Sequence, residues 1–101
     1  MMSNRNYING ANFERKVKAE LENAGYLCFR TAGSHGVADI IVVEFGSVML
    51  VQCKISNKIS KDERTKLKAL CKKYNCVGKI AYREKEGRKF VTKYEDVHVK
   101  G

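Results

Sequence analysis

Two aliphatic runs separated by only four residues constrain this chain more than any other feature: Val37 to Val43 and Val48 to Ile55. Near-continuous β-branched and aliphatic segments of this length read as strands covered on both faces. The connector, Glu44-Phe45-Gly46-Ser47, is short and contains glycine, so the two strands are expected to form a hairpin. With Phe45-Gly46 as a two-residue loop, Glu44 pairs with Ser47, and continuing the ladder puts Asp39 directly opposite Gln52. Opposed residues share a face, with Cβ atoms about 5 Å apart. Lys54, two residues beyond Gln52, points to that same face by the period of two.

The remaining patterns supply the layers that such strands need. From Gly10 to Ala24, Phe13, Val17, Leu21 and Ala24 form an apolar stripe at helical spacing, and Asn23 to Gly25 is a stop signal. Glu14 lies beside that stripe, where a side chain looks along the sheet edge and stays partly wet. Tyr26 to Arg30 reads as a strand, followed by the loop Ala32-Gly33-Ser34-His35-Gly36. Ser60-Lys61-Asp62-Glu63 has the form of a capping box. It opens a helix with Leu67, Leu70, Cys71 and Tyr74 on one face and Lys66, Lys68, Lys72 and Lys73 on its wet side. Val77 to Tyr82 and Arg88 to Tyr94 are expected strands joined by the charged turn Arg83 to Gly87. The order is α-β-β-β-α-β-β, an α/β fold in which a mixed sheet is flanked by helices.

The 101 residues fit one domain, 1–101, with residues 1–9 and 95–101 expected to be flexible ends. No apolar run approaches the roughly 20 residues that span a bilayer, and the first ten residues lack the apolar region of a secretory signal. A cytoplasmic protein without a membrane role is therefore expected. Cys28, Cys53, Cys71 and Cys76 make no C-x-x-C pair, which argues against zinc and for reduced, mostly buried thiols. Lys and Arg outnumber Asp and Glu by 20 to 11, a net charge of +9 that favours polyanionic partners such as DNA or RNA.

Against this background the polar interruptions of the aliphatic runs stand out. Asp39, Gln52 and Lys54 sit in strands otherwise built of Val, Ile, Leu and Ala, where an unpaired polar group costs several kcal/mol. One reading is structural, an Asp39–Lys54 salt bridge with Gln52 hydrogen-bonded beside it. The other is a site for a divalent cation and a phosphate, since hard cations take oxygen ligands, often one or two carboxylates plus water and substrate. Ser34-His35 does not read as a hydrolase triad, because nucleophile elbow and orienting acid are both lacking.

An Asp in an apolar strand, a short hairpin and then (Glu/Gln)-x-Lys resembles the PD-(D/E)xK nuclease superfamily. More specifically, Asn12-Phe13-Glu14-Arg15, Phe29-Arg30-Thr31-Ala32-Gly33-Ser34, Val37-Ala38-Asp39-Ile40-Ile41 and Val51-Gln52-Cys53-Lys54 resemble the archaeal-type Holliday junction resolvases over about Gly10 to Tyr82. The resemblance implies a restriction-endonuclease-like core and a metal-dependent endodeoxyribonuclease that hydrolyses DNA phosphodiesters, on Holliday junctions or other branched DNA, as a homodimer. It also implies Mg²⁺, with Mn²⁺ as a substitute, held by Asp39, Gln52 and Glu14. Lys54 would orient or activate the attacking water, and Ser34 would lie close to the catalytic face. Arg15 and Arg30 match residues that hold backbone phosphates. His35, Lys58 and Lys61 are further candidate DNA contacts, although a solvated loop histidine is the simpler reading of His35 and a solvated charged connection explains Lys58 and Lys61 equally simply. Gln52 stands where the family usually has an acidic ligand. Two other functions therefore remain open: a nuclease for duplex or single-stranded DNA, and a catalytically inactive nucleic-acid-binding module of nuclease descent.

Overall fold

The computed structural model describes residues 5–31, 38–55 and 59–97, the first five of these by backbone alone. The elements are α1 (Arg5–Asn23), β1 (Leu27–Arg30), β2 (Ile40–Glu44), β3 (Ser47–Lys54), α2 (Lys61–Tyr74), β4 (Val77–Glu86) and β5 (Lys89–Asp96). The predicted order holds throughout. The strands form one sheet in chain order, antiparallel except for the parallel pair β3–β4 that α2 connects.

Strand β3 is central, and its alternation builds both halves of the core. Met49 and Val51 face α1, where they meet Phe13, Val17 and Leu21 together with Cys28, Ile40, Val42 and Ala81. Leu50 faces α2 and packs with Leu67, Cys71, Cys76 and Ile80. Complete burial of side chains such as Val17, Ile40, Val51, Leu67 and Ile80 contributes about 1.5–3 kcal/mol each. Gly78 lets α2 approach β4 closely, since a Cβ there would lie 2.6 Å from Cys71 Sγ. The four thiols are free, and all but Cys53 are fully buried, as small core hydrophobes are.

Helix α1 ends where its expected stop stands, and α2 closes in the same way. Tyr26 N–H donates to Leu21 O and Gly25 N–H to Glu22 O, with Gly25 at φ +104°. Cys76 N–H and Asn75 N–H repeat the pattern on Cys71 O and Lys72 O around a left-handed Asn75. These paired closing bonds satisfy carbonyls that the helix end would otherwise leave open. The capping box also forms as written, with Ser60 Oγ accepting from Glu63 N–H and Glu63 Oε1 accepting from Ser60 N–H.

Several boundaries differ from expectation. Helix α1 begins at Arg5 rather than Gly10, while Ala24 lies exposed beyond its end. Strands β4 and β5 continue past the charged segment, with Glu86 paired to Lys89 around a turn at Gly87-Arg88. Charge marks a turn poorly in a ribbon whose outer end is wet on both faces, and cross-strand contacts such as Lys93–Glu86 carry the pairing onward. Residues 95–97 are not loose: Glu95 pairs with Ile80 and with Arg64, and Val97 is buried with its N–H on Gly78 O.

Candidate active site

The hairpin register is the predicted one, with Glu44 opposite Ser47 and Ile40 opposite Val51. Asp39, however, does not continue it. Its N–H donates to Val51 O at 2.8 Å, although Val51 is already the ladder partner of Ile40. Two residues on one strand against one on the other is a bulge, which bends the strand and re-aims a side chain. Asp39 therefore leaves its expected place opposite Gln52, and its Oδ2 accepts a hydrogen bond from Cys53 N–H at 2.8 Å. Thr31 braces the bend from the end of β1, its N–H donating to Asp39 O and its hydroxyl to Ala38 O.

This position is electrostatically costly. Burial pushes the Asp39 carboxyl from its ordinary 3.8 up to about 6. The Cys53 N–H opposes the rise, Glu14 adds to it, and Lys54 and Arg30 pull it down. Desolvation outweighs the cations because neither makes a direct ion pair with it. Lys54 binds Glu63 Oε2 at 2.6 Å, and Arg30 binds Glu14 Oε1 at 3.2 Å. The Asp39–Lys54 salt bridge of the structural reading is thus not the arrangement found.

Gln52 is almost fully buried, 8% exposed. Its Nε2 faces Glu63 Oε2 at 3.5 Å, while its Oε1 is buried without a partner. Glu63 is legible in the sequence only as half of a capping box. Its carboxylate does two jobs, one oxygen capping α2 and the other meeting Gln52 and Lys54. The Lys54 hydrogen bond is the main cause that holds the Glu63 carboxyl below its usual range.

The sequence model of the archaeal Holliday junction resolvase family, Hjc, matches residues 5–100. The chain belongs to that family. It is 42% identical over 65 residues to the crossover junction endodeoxyribonuclease Hjc of Methanocaldococcus jannaschii. That match takes in 60% of this chain and 48% of the relative, so it spans about half of the relative's length. The fold is that of the Holliday junction resolvase Hjc of Archaeoglobus fulgidus, with a TM-score of 0.70, 24% identity and coverage of 88% of this chain and 73% of the other.

Within this Hjc-family fold, the donors suit a hard cation. Among the described residues no three His, Cys, Asp or Glu side chains group together as metal ligands. Asp39 and Glu14 supply carboxylates, and the unpartnered Gln52 Oε1 supplies a neutral oxygen. An orphaned buried carbonyl oxygen is expensive unless something else binds it. A cation that keeps several of its waters fits a site with so few protein oxygens.

Of the other predicted residues, Ser34, His35 and Lys58 lie outside the described residues. Arg15 is exposed and bonds Asn12, and Lys61 is exposed in the first turn of α2. Sequence reasoning missed a basic cleft of about 490 Å³ between α1 and the β4–β5 ribbon, lined by Asn12, Phe13, Lys16, Arg83, Lys89 and Phe90. Arg83 lies over the Phe90 ring at 4.3 Å. The cleft and the site share elements: Phe13 precedes Glu14 on α1, and Arg83 follows Tyr82, the ladder partner of Lys54, on β4. Its cations come from three separate elements, so no local charge run announces it.

Proposed function

We propose that this protein is a metal-dependent endonuclease that hydrolyses DNA phosphodiesters, with Holliday junctions or similar branched DNA as substrate and Mg²⁺ as cofactor, replaceable by Mn²⁺. The observation that carries this reading is the presence together of an under-compensated, partly buried Asp39 and the unpartnered Gln52 Oε1. One divalent cation would meet both deficits, and Asp39, Gln52 and Glu14 would hold it, directly or through water. The cation would supply Lewis acidity at the scissile phosphate and lower the pKa of a bound water.

The chain's own groups do the rest. Cys53 N–H fixes the Asp39 carboxylate, and Arg30 fixes Glu14. Lys54 orients the attacking water and offsets the charge that develops on the phosphorane-like transition state. Arg15, Lys61 and the cleft cations Lys16, Arg83 and Lys89 hold flanking phosphates. Four free thiols accord with work in the reducing cytoplasm.

Symmetric cutting of a two-fold junction needs paired sites, and so a homodimer. An apolar surface suits that role: Leu27, Phe29 and Val43 are exposed on the face of β1–β2 that faces away from α1. Phe29→Asp is expected to shift the species seen by analytical ultracentrifugation towards monomer.

The deciding experiment compares cleavage of a four-way junction and of matched linear duplex, with and without Mg²⁺. Metal-dependent cutting of the junction is expected. Asp39→Ala should lose it while retaining DNA binding. Retained cutting by that variant would refute the assignment, and equal cutting of linear duplex would move the substrate to duplex DNA.

A further inference from the structure

Gln52 raises a question of orientation that the metal-site reading leaves open. A side-chain amide offers an oxygen at one end and two N–H donors at the other, and only the oxygen can bind a cation. If the amide turned over, it would present N–H groups to the site and could contribute nothing to a metal. Something must hold it.

We infer that Glu63 is the positioning residue of this site, setting the Gln52 amide so that its oxygen faces the cation and fixing Lys54 at the same time. The inference rests on the proposed metal-dependent activity and adds a residue from outside the D…(E/Q)xK pattern. Glu63 Oε2 lies 3.5 Å from Gln52 Nε2 and 2.6 Å from Lys54 Nζ. Turning the amide over would set Gln52 Oε1 against that carboxylate oxygen, acceptor against acceptor, and leave both N–H donors in the buried place now held by Oε1. The long Nε2 contact therefore has a large directional effect for a small attractive one. Groups behind a ligand commonly change metal affinity by 10- to 100-fold when removed.

The same geometry explains how glutamine serves where a carboxylate is usual. A glutamate at position 52 would place a second negative charge beside Glu63 Oε2, and like charges at this distance oppose one another. Gln52 instead donates to Glu63 and leaves an oxygen for the metal. Positions 52 and 63 are thus coupled: Gln with Glu is one solution, and Glu with a neutral partner is another.

A structural role is separable, because Glu63 also caps α2. Glutamine serves equally at the third position of a capping box. Glu63→Gln should therefore keep the melting temperature within a few degrees while weakening Mn²⁺ binding about tenfold by calorimetry and lowering kcat at least tenfold with little change in KM. Ser60→Ala, which breaks the cap at its other end, should lower the melting temperature by several degrees and leave cleavage within twofold. Gln52→Glu should gain less than threefold in Mn²⁺ affinity in the natural background and at least tenfold in the Glu63→Gln background.

The side-chain amide proton resonances of Gln52, recorded without metal, test the orientation directly. They should be slow to exchange in the natural protein and lose that protection in Glu63→Gln. Unchanged resonances, or an equal affinity gain from Gln52→Glu in both backgrounds, would overturn the inference. A natural protein that neither binds Mn²⁺ nor cuts DNA would overturn the proposed function instead, and the metal-free resonances would still decide the orientation.

Discussion

The two halves of the site are held by opposite kinds of electrostatics. On the α1 side, Asp39 is partly buried and, among the described residues, a backbone N–H is what bonds its carboxylate, while Arg30 is taken by Glu14. On the α2 side, Lys54 and Glu63 form a direct ion pair with the Gln52 amide beside it. One half is left short of positive charge, and the other is internally balanced. The deficit marks where a ligand's charge would enter, and the balanced pair marks where side chains are kept still. A site with both halves balanced would be more stable and less able to bind a cation.

The largest effect that would sharpen this contrast comes from Asp39→Asn. The variant keeps an oxygen for the Cys53 N–H but removes the charge that burial penalises. Cleavage should fall by about 10³-fold or more, since the principal ligand loses its charge. The metal-free protein should at the same time become more stable at pH 7.5, by on the order of 2 kcal/mol or roughly 10 °C in melting temperature. Thermal melts in EDTA measure it. An Asn variant that melts lower than its parent would break the claim that Asp39 is under-compensated.

The pH dependence follows with opposite signs in the two halves. The folded value of Asp39, about 6, exceeds its ordinary 3.8, so without metal its contribution is most favourable below about pH 4 and is lost as pH rises through about 6. Glu63 is held below its ordinary 4.5. Its contribution is present above about 4.5 and is lost as pH falls through the lowered value. Cation binding requires the ionised Asp39, so metal affinity should drop about tenfold per unit as pH falls below 6. Calorimetric titrations of Mn²⁺ at pH 7, 6 and 5 test this, and a flat series would contradict it.

Much of this arrangement is legible in the amino-acid sequence. The aliphatic runs set the central hairpin and its register, because a strand buried on both faces tolerates little slippage. The capping box places the start of α2 and the stop ending in Gly25 places the end of α1, each through a backbone conformation or bond that few residues provide. Asp39, Gln52 and Lys54 are conspicuous as polar groups in apolar strands. Three things are hidden. The bulge at Asp39 is invisible because a near-continuous apolar run has no alternation for an extra residue to disturb. The role of Glu63 is masked by the cap, a local explanation that already accounts for the residue. The basic cleft is hidden because Lys16, Arg83 and Lys89 come from separate elements and meet only once α1 packs beside the ribbon.

That cleft supplies the smallest effect and a test of where the contrast between the halves ends. Among the described residues, Lys16, Arg83 and Lys89 line a surface that no carboxylate lines, unlike the cations of the site, which are each matched by Glu14 or Glu63. Unmatched surface cations suit the phosphate backbone, which attracts them without regard to sequence and releases counterions on contact. Arg83→Ala with Lys89→Ala should weaken junction binding roughly several-fold at moderate salt and reduce the slope of log affinity against log salt by nearly two, as expected for two lost phosphate contacts. Metal affinity and the rate of the bound complex should be unchanged, because neither residue touches Asp39, Gln52 or Lys54. Binding isotherms over a salt series, paired with single-turnover cleavage at saturating enzyme, separate these quantities. A fall in the single-turnover rate would place Arg83 or Lys89 inside the chemistry and extend the under-compensated half of the site into the cleft. An unaltered salt slope would leave the cleft without a role in holding DNA.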